Sequence, residues 1–357
     1  MLLCLAKATV MELDNVDWQL LNELDMNADQ SLDKLAAKLK VTRDIIHYRI
    51  KRLEEARIII GYTTIVNYPG LGYLTGCSTL KFRNENENIT KKIFNYFGSA
   101  DTFIPTVAFC TGEYDLEFRW HTKSVQSFFD FQKTFLRQYS SYIQNSCTTL
   151  ISSAVLYSRD YLAFGTKERR IFYMENKAEK KIDNSAKHSF ETSKTYLDEN
   201  ILKLLLHMPF AHSAIAKEVG VSNTQLYRRI KELEKEGIIL ARRAVLNLEK
   251  LGYHRYTLLL YIDFTYYDSL LGYLATLPNI ISVEEQLGNA GILVCVESKD
   301  YQEFKKVEFN IKEKFNNTIL YVQTYELQPL FTLSPRRHCH LSPRPPKPHV
   351  GRNSTSL

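Results

Sequence analysis

Along the N-terminal part of the chain, apolar residues recur at spacings of three and four that fit one face of a helix, three times in succession. Leu20, Leu21 and Leu24 mark the first helix, Leu35, Ala36 and Leu39 the second, and Ile46, Ile50 and Leu53 the third. Asp17 reads as the carboxylate at the start of the first helix and Thr42 as the N-cap of the third, where side-chain oxygens satisfy free amides. The tight step between the second and third helices predicts a helix-turn-helix. The β-type run at 58–62 then fits a wing strand. Beyond it the pattern alternates: strands at 78–83, 103–110, 115–120 and 143–157 enclose helical stretches around Ile93, Phe94 and Phe97 and over 124–139. This βαββαβ order predicts a four-stranded antiparallel sheet with both helices on one face, the ferredoxin-like arrangement.

The same pattern returns. Leu35-Ala36-Ala37-Lys38 recurs as Ile215-Ala216-Lys217-Glu218, Val41-Thr42 as Val221-Ser222, and Arg49 to Glu54 as Arg229 to Glu234. Leu71-Gly72-Tyr73 recurs as Leu251-Gly252-Tyr253, each pair 180 positions apart. Such self-similarity means two copies of one unit. The second copy offers Ile201, Leu202 and Leu205, a start at Asp198, a third helix capped by Ser222, a wing strand at 238–242, and its own βαββαβ run to 327. The fold expected is α+β: two winged helix-turn-helix domains, at 12–66 and 195–247, and two ferredoxin-like βαββαβ domains, at 72–158 and 252–331. A linker occupies 159–194, with a candidate docking point at 161–164. A basic, proline-rich tail at 332–357 reads as disordered.

Composition is that of a globular protein, 45% apolar and 24% charged. The net charge of +6 comes largely from the last 24 residues, which carry five basic side chains and no acid. Contact with nucleic acid must therefore rest on local basic clusters. Scattered cysteines without a C-x-x-C pair read as free thiols in a reducing compartment, and the apolar start before Met11 is far short of a membrane span. That start reads as an upstream extension or a mistaken start, and a cytoplasmic location is expected. Isolated histidines at 121, 207, 212 and 254 lack ligand spacing, and His338-Cys339-His340 sits in the tail; no metal or cofactor is expected. The glycines at 70, 72 and 76 open no helix and suit turns or close packing. Phe128, Phe129, Phe131 and Phe135 at helical spacing suit core and interface.

A recognition helix enters the major groove with its exposed N-terminal side chains on base edges, while flanking basic residues and amides hold phosphates. Thr42, Arg43, His47, Tyr48, Lys51 and Arg52 form that set in the first copy. Ser222, Asn223, Thr224, Gln225, Tyr227, Arg228 and Lys231 form it in the second. Asn and Gln suit adenine and Arg suits guanine, so the two helices read different sequences. A merely solvated helix face is the alternative.

The residues Leu13-Asp14, Leu35-Ala36, Val41-Thr42, Arg49-Ile50-Lys51-Arg52-Leu53-Glu54, Gly61-Tyr62 and Leu71-Gly72-Tyr73 resemble the Lrp/AsnC (feast/famine, leucine-responsive) regulators. Gly112-Glu113-Tyr114-Asp115-Leu116 resembles the turn of that family's effector-sensing domain. The resemblance covers the chain twice, whereas members usually carry one unit. It implies a transcription regulator and not an enzyme, with double-stranded DNA as partner. It also implies an amino-acid effector near Gly112, Tyr114 and Asp115, unless that turn only reverses a strand. In such dimers two sensing sheets pack face to face, so closure within one chain into a pseudo-dimer is expected, with larger oligomers open. Two departures stand out. Arg57 replaces the glycine kept at Gly237, predicting a different first wing, and 288–291 lack the tyrosine and aspartate. Sirohaem decarboxylases resemble the same architecture, but Pro105-Thr106-Val107 and Tyr114-Asp115-Leu116-Glu117 miss the His and Trp of their motif. A DNA-architectural protein without sequence preference is the third reading.

Overall fold

The computed structural model describes residues 12–83, 87–99, 103–162, 169–175, 192–288, 291–328 and 331–332. The expectations for the start before Met11, the His338-Cys339-His340 group, Asn289, Ala290 and nearly all of the tail lie outside these residues. The first unit opens with α1 (Asn15–Met26), α2 (Leu32–Leu39) and α3 (Arg43–Glu55). Side-chain caps start each helix: Asp14 accepts from the Asp17 amide, Ser31 from Lys34 and Thr42 from Ile45. Asp17 is thus the returning partner of a capping box and not the cap itself. Its carboxylate, fully buried, also binds Arg49 and Arg52 of α3.

After β1 (Ile59–Val66) come β2 (Leu74–Phe82), α4 (Glu87–Ser99), β3 (Phe103–Gly112), β4 (Leu116–Thr122), α5 (Val125–Tyr139), β5 (Ile143–Tyr157) and a short β6 (Ile171–Met174). The second unit runs α6 (Thr192–His207), α7 (His212–Val219), α8 (Asn223–Lys235), β7 (Ile239–Leu246), β8 (His254–Ile262), α9 (Tyr267–Leu274), β9 (Ile280–Leu287), β10 (Ile292–Ser298), α10 (Tyr301–Lys314), β11 (Ile319–Leu327) and β12 (Phe331–Thr332). Two predicted boundaries shift. The linker is partly structured, because β6 pairs with the end of β5 and Leu162 is buried in the first helix-turn-helix core. Helix α6 begins upstream of Asp198, which sits inside it and binds Arg229 at 2.6 Å.

The wing expectation needs correction as well. β1 does not fold back on its own unit: it pairs antiparallel with β7 of the other copy, Tyr62 opposite Ala244 and Thr64 opposite Arg242. Each strand therefore completes the other unit's core. Ala244 and Leu246 pack with Leu20, Leu24 and Ile46, while Val66 and Tyr68 pack with Ile201, Leu205 and Leu226. The turn before β1 does not differ between copies. Arg57 takes φ 58° and Gly237 φ 73°, so the arginine accepts the left-handed conformation that the glycine enters freely.

The sensing units give strand orders β5-β2-β4-β3 and β11-β8-β10-β9, and their edges join: β5 pairs β9, and β11 pairs β3. The sheet closes on itself, which leaves these four strand edges paired. Helices cover the outside, and Phe128, Phe131 and Phe135 of α5 fill one outer core while Phe129 is 54% exposed. The helix-free faces meet inside, where Cys77, Ala108 and Cys110 pack with Leu259, Leu293 and Tyr325. Arg119 lies between them, bonded to Glu117 at 3.1 Å and to Glu284 of the second unit. On the outer face of β2 Gly76 is needed: a Cβ would meet the Trp120 ring, which stacks on Phe128, at 2.0 Å. Among the described residues no helix is long and apolar enough to cross a membrane.

Candidate nucleic-acid interface and ligand cleft

Helices α3 and α8 bury equivalent stripes, Ile46, Ile50 and Leu53 in one and Leu226, Ile230 and Leu233 in the other. The opposite face is open. Arg43, His47, Tyr48 and Lys51 are exposed on α3, and Asn223, Thr224, Tyr227, Arg228 and Lys231 on α8. Arg43 lies 3.9 Å from Asp33 and Lys51 3.7 Å from Glu55, pairs between exposed side chains that water screens to at most about 1 kcal/mol. Phosphates can displace such partners at little cost.

Five of the sequence candidates have other ties, beginning with Thr42, whose hydroxyl caps α3. Arg52 donates to the buried Asp17 carboxylate, which fastens α3 to α1. Gln225 closes a capping box, its Oε1 accepting from the Ser222 amide at 2.9 Å while Ser222 Oγ accepts from its own amide at 3.2 Å. Lys231 donates to Glu234 at 2.7 Å, and the other oxygen of Glu234 accepts from Arg242, buried on β7. The exposed candidates without such ties are Arg43, His47, Tyr48 and Lys51 on α3 and Asn223, Thr224, Tyr227 and Arg228 on α8.

The turn expected to hold an effector sits where β3 passes into β4. Gly112 has φ 122°, and Tyr114 is buried with its ring edge-on to Tyr325 of the second unit. Asp115 is not available to a ligand's ammonium. Its Oδ1 accepts from Lys81 at 2.7 Å and its Oδ2 from the Phe82 amide at 2.6 Å, so the chain's own lysine fills that role. Beside the turn lies a cleft of about 300 Å³ to which both units contribute: Glu113, Tyr114 and 145–148 from the first, Tyr261, Gly288 and Gln323 from the second.

A model of the AsnC-type helix-turn-helix domain matches residues 13–54, and one of winged helix-turn-helix DNA-binding domains matches 211–239. An uncharacterised HTH-type transcriptional regulator of Pyrococcus furiosus is 34% identical over 107 residues, 30% of this chain and 70% of that relative. The chain belongs to the AsnC-type helix-turn-helix regulators. A second P. furiosus HTH-type regulator is 29% identical over 128 residues, 36% of this chain and 82% of that protein. Among solved structures, the sirohaem decarboxylase NirDL is similar over 92% of this chain and 95% of its own, with a TM-score of 0.53 at 12% identity. That is a likeness of fold alone.

In this AsnC-type regulator the two helix-turn-helix units meet the closed sheet through unlike junctions. At one, Asp25 of α1 accepts from Arg159 at 2.5 Å and from Arg243 of β7 at 2.6 Å. Arg159 reaches on to Glu297 of β10 at 2.7 Å, where Arg255 and Tyr161 also donate. Burial would raise the carboxyls of Asp25 and Glu297, but the adjoining guanidiniums hold both below their usual range, Glu297 at about 2. At the other junction Tyr68 stacks on His121 at 4.1 Å and Lys123 binds Glu199 at 2.6 Å. Burial and the nearby Arg119 push His121 down to about 3, so it stays neutral.

Neither the charge cluster nor the cleft was foreseen from the sequence. A signal existed for the first: Arg243 stands where the first copy has Thr63, and Arg255 where it has Thr75. Polar residues that differ between otherwise matching copies mark where the copies do different work.

Proposed function

We propose that this AsnC-type regulator binds double-stranded DNA sequence-specifically through α3 and α8, as an intrachain pseudo-dimer whose occupancy responds to a small ligand. The observation that carries the reading is the exchanged strand pair β1 and β7, each strand packing into the other unit's core, which ties the two units with their exposed but chemically unlike recognition faces to each other. Two such helices reading successive major grooves call for half-sites about one helical turn, roughly 34–36 Å, apart. Arg43 suits guanine and Asn223 adenine, so the half-sites should be unlike. The test is DNA binding across a salt series. Arg43→Ala with Lys51→Ala, or Arg228→Ala with Lys231→Ala, should weaken binding and flatten the slope of log affinity against log salt by about one per lost phosphate contact. Unchanged affinity in both pairs overturns the reading.

The fold coverage by NirDL favours one other reading, an enzyme acting on an iron tetrapyrrole. The missing His and Trp at the positions named above speak against it. Titration with sirohaem separates the two: a saturable change in the haem absorbance bands supports the enzyme.

A further inference from the structure

We propose that the cleft between the two units takes a small amine cation that lacks a carboxylate, a diamine or polyamine in place of an amino acid. The inference rests on the ligand-response part of the reading above and names the ligand's class. At about 300 Å³ the cleft is at the lower end of ligand pockets, which suits a molecule of a few carbons.

Its chemistry selects among such molecules. The charged side chain in the lining is Glu113; asparagine, serine, cysteine, threonine, tyrosine and glutamine supply the rest. Burial raises the Cys147 thiol, which keeps it neutral. The cation beside the turn, Lys81, is held by Asp115 at 2.7 Å and by the Gly112 carbonyl at 3.1 Å. Among the described residues, no lining side chain brings a positive charge to an amino acid's carboxylate, and desolvating that group without a partner is costly.

Hydrogen-bond direction points the same way. The hydroxyls of Tyr261 and Tyr114 donate to Gln323 Oε1, at 2.7 and 3.4 Å, and Gln323 Nε2 donates to Glu113 Oε1 at 3.2 Å. Both tyrosine hydroxyl donors and one N–H of Gln323 are thus spent within the lining. The charge left toward the cleft is negative: the second oxygen of Glu113 and a lone pair of the Tyr261 hydroxyl accept, while Asn145 and Ser146 add neutral groups that can donate or accept. An ammonium has three donors and no acceptor, which complements this set. Because the network runs from Glu113 of the first unit to Gln323 and Tyr261 of the second, a bound cation strengthens the contact across the seam.

Calorimetry on the full chain without DNA tests the proposal, with 1,4-diaminobutane against 2,5-diaminopentanoate, which carries the same two amines plus a carboxylate. The diamine should bind at least tenfold more tightly and should raise the unfolding midpoint. Glu113→Gln, at an exposed position, should weaken it at least tenfold with the unliganded midpoint unchanged. Equal or tighter binding of the carboxylated compound, unchanged binding to Glu113→Gln, or no heat from either at millimolar concentration overturns the proposal. DNA affinity of the unliganded chain, measured separately, distinguishes this failure from failure of the DNA-binding reading.

Discussion

Replacing Asp25 with asparagine removes the carboxylate on which the first junction is built. In the native chain that group is fully buried and accepts from the Arg159 amide at 2.9 Å, Arg159 Nη1 at 2.5 Å and Arg243 Nη2 at 2.6 Å. The substituted amide keeps one acceptor oxygen and no charge. Arg159 retains Glu297, but Arg243 loses its one carboxylate and keeps neutral partners such as the backbone carbonyls of position 25 and of Tyr157. Stripping one partner from a buried ion pair costs about 3–5 kcal/mol, whereas an exposed pair would cost about 0–1 kcal/mol. Urea unfolding at neutral pH reads the difference. We expect Asp25→Asn to lose about 3–5 kcal/mol and Arg243→Met to be costly too. The double variant should lose less than the sum by about 0.5–3 kcal/mol, the range for residues in one network. A loss under about 1 kcal/mol in Asp25→Asn refutes the claim that this cluster fastens the first helix-turn-helix to the second unit.

Glu297, held at about 2 against an ordinary 4.5, contributes stability that is present above pH 4.5 and is lost as pH falls through about 2. The stability gap between the native chain and Glu297→Gln should therefore narrow across that window, and a constant gap contradicts the assignment. Arg57→Gly relieves the left-handed backbone at φ 58° and should stabilise by up to about 1 kcal/mol, since glycine's extra freedom in the unfolded chain offsets part of the relief; thermal unfolding checks the sign. Arg52→Ala should cost about 1–3 kcal/mol through its lost bond to buried Asp17 yet leave the DNA salt slope unchanged. A flattened slope would return Arg52 to the phosphate contacts.

The helices were legible because periodicity and caps are local: Thr42 and Ser222 announce α3 and α8 before any partner is known. The two copies were legible from Arg49 to Glu54 repeating at Arg229 to Glu234. What escaped was long-range. The run after Gly61 reads as a strand, but nothing in it says that Tyr62 will face Ala244 and not a neighbour in its own unit. Local reading likewise offered Asp115 to a ligand, because only the pairing of β2 with β4 brings Lys81 onto it. Gln225 appeared free to read a base for the same reason that Ser222 appeared to be a cap, and the two turn out to complete one motif.

In the proposed function one chain presents two unlike recognition helices, α3 and α8, as a pair. Selection of bound sequences from random double-stranded DNA, with the selected site footprinted by the same protein, tests it most directly. The expected result is a site of two different half-sites about one helical turn apart, with protection over both and loss of only one half's preference on Arg43→Ala or Asn223→Ala. A palindromic site, or enrichment of no sequence at all, would contradict it.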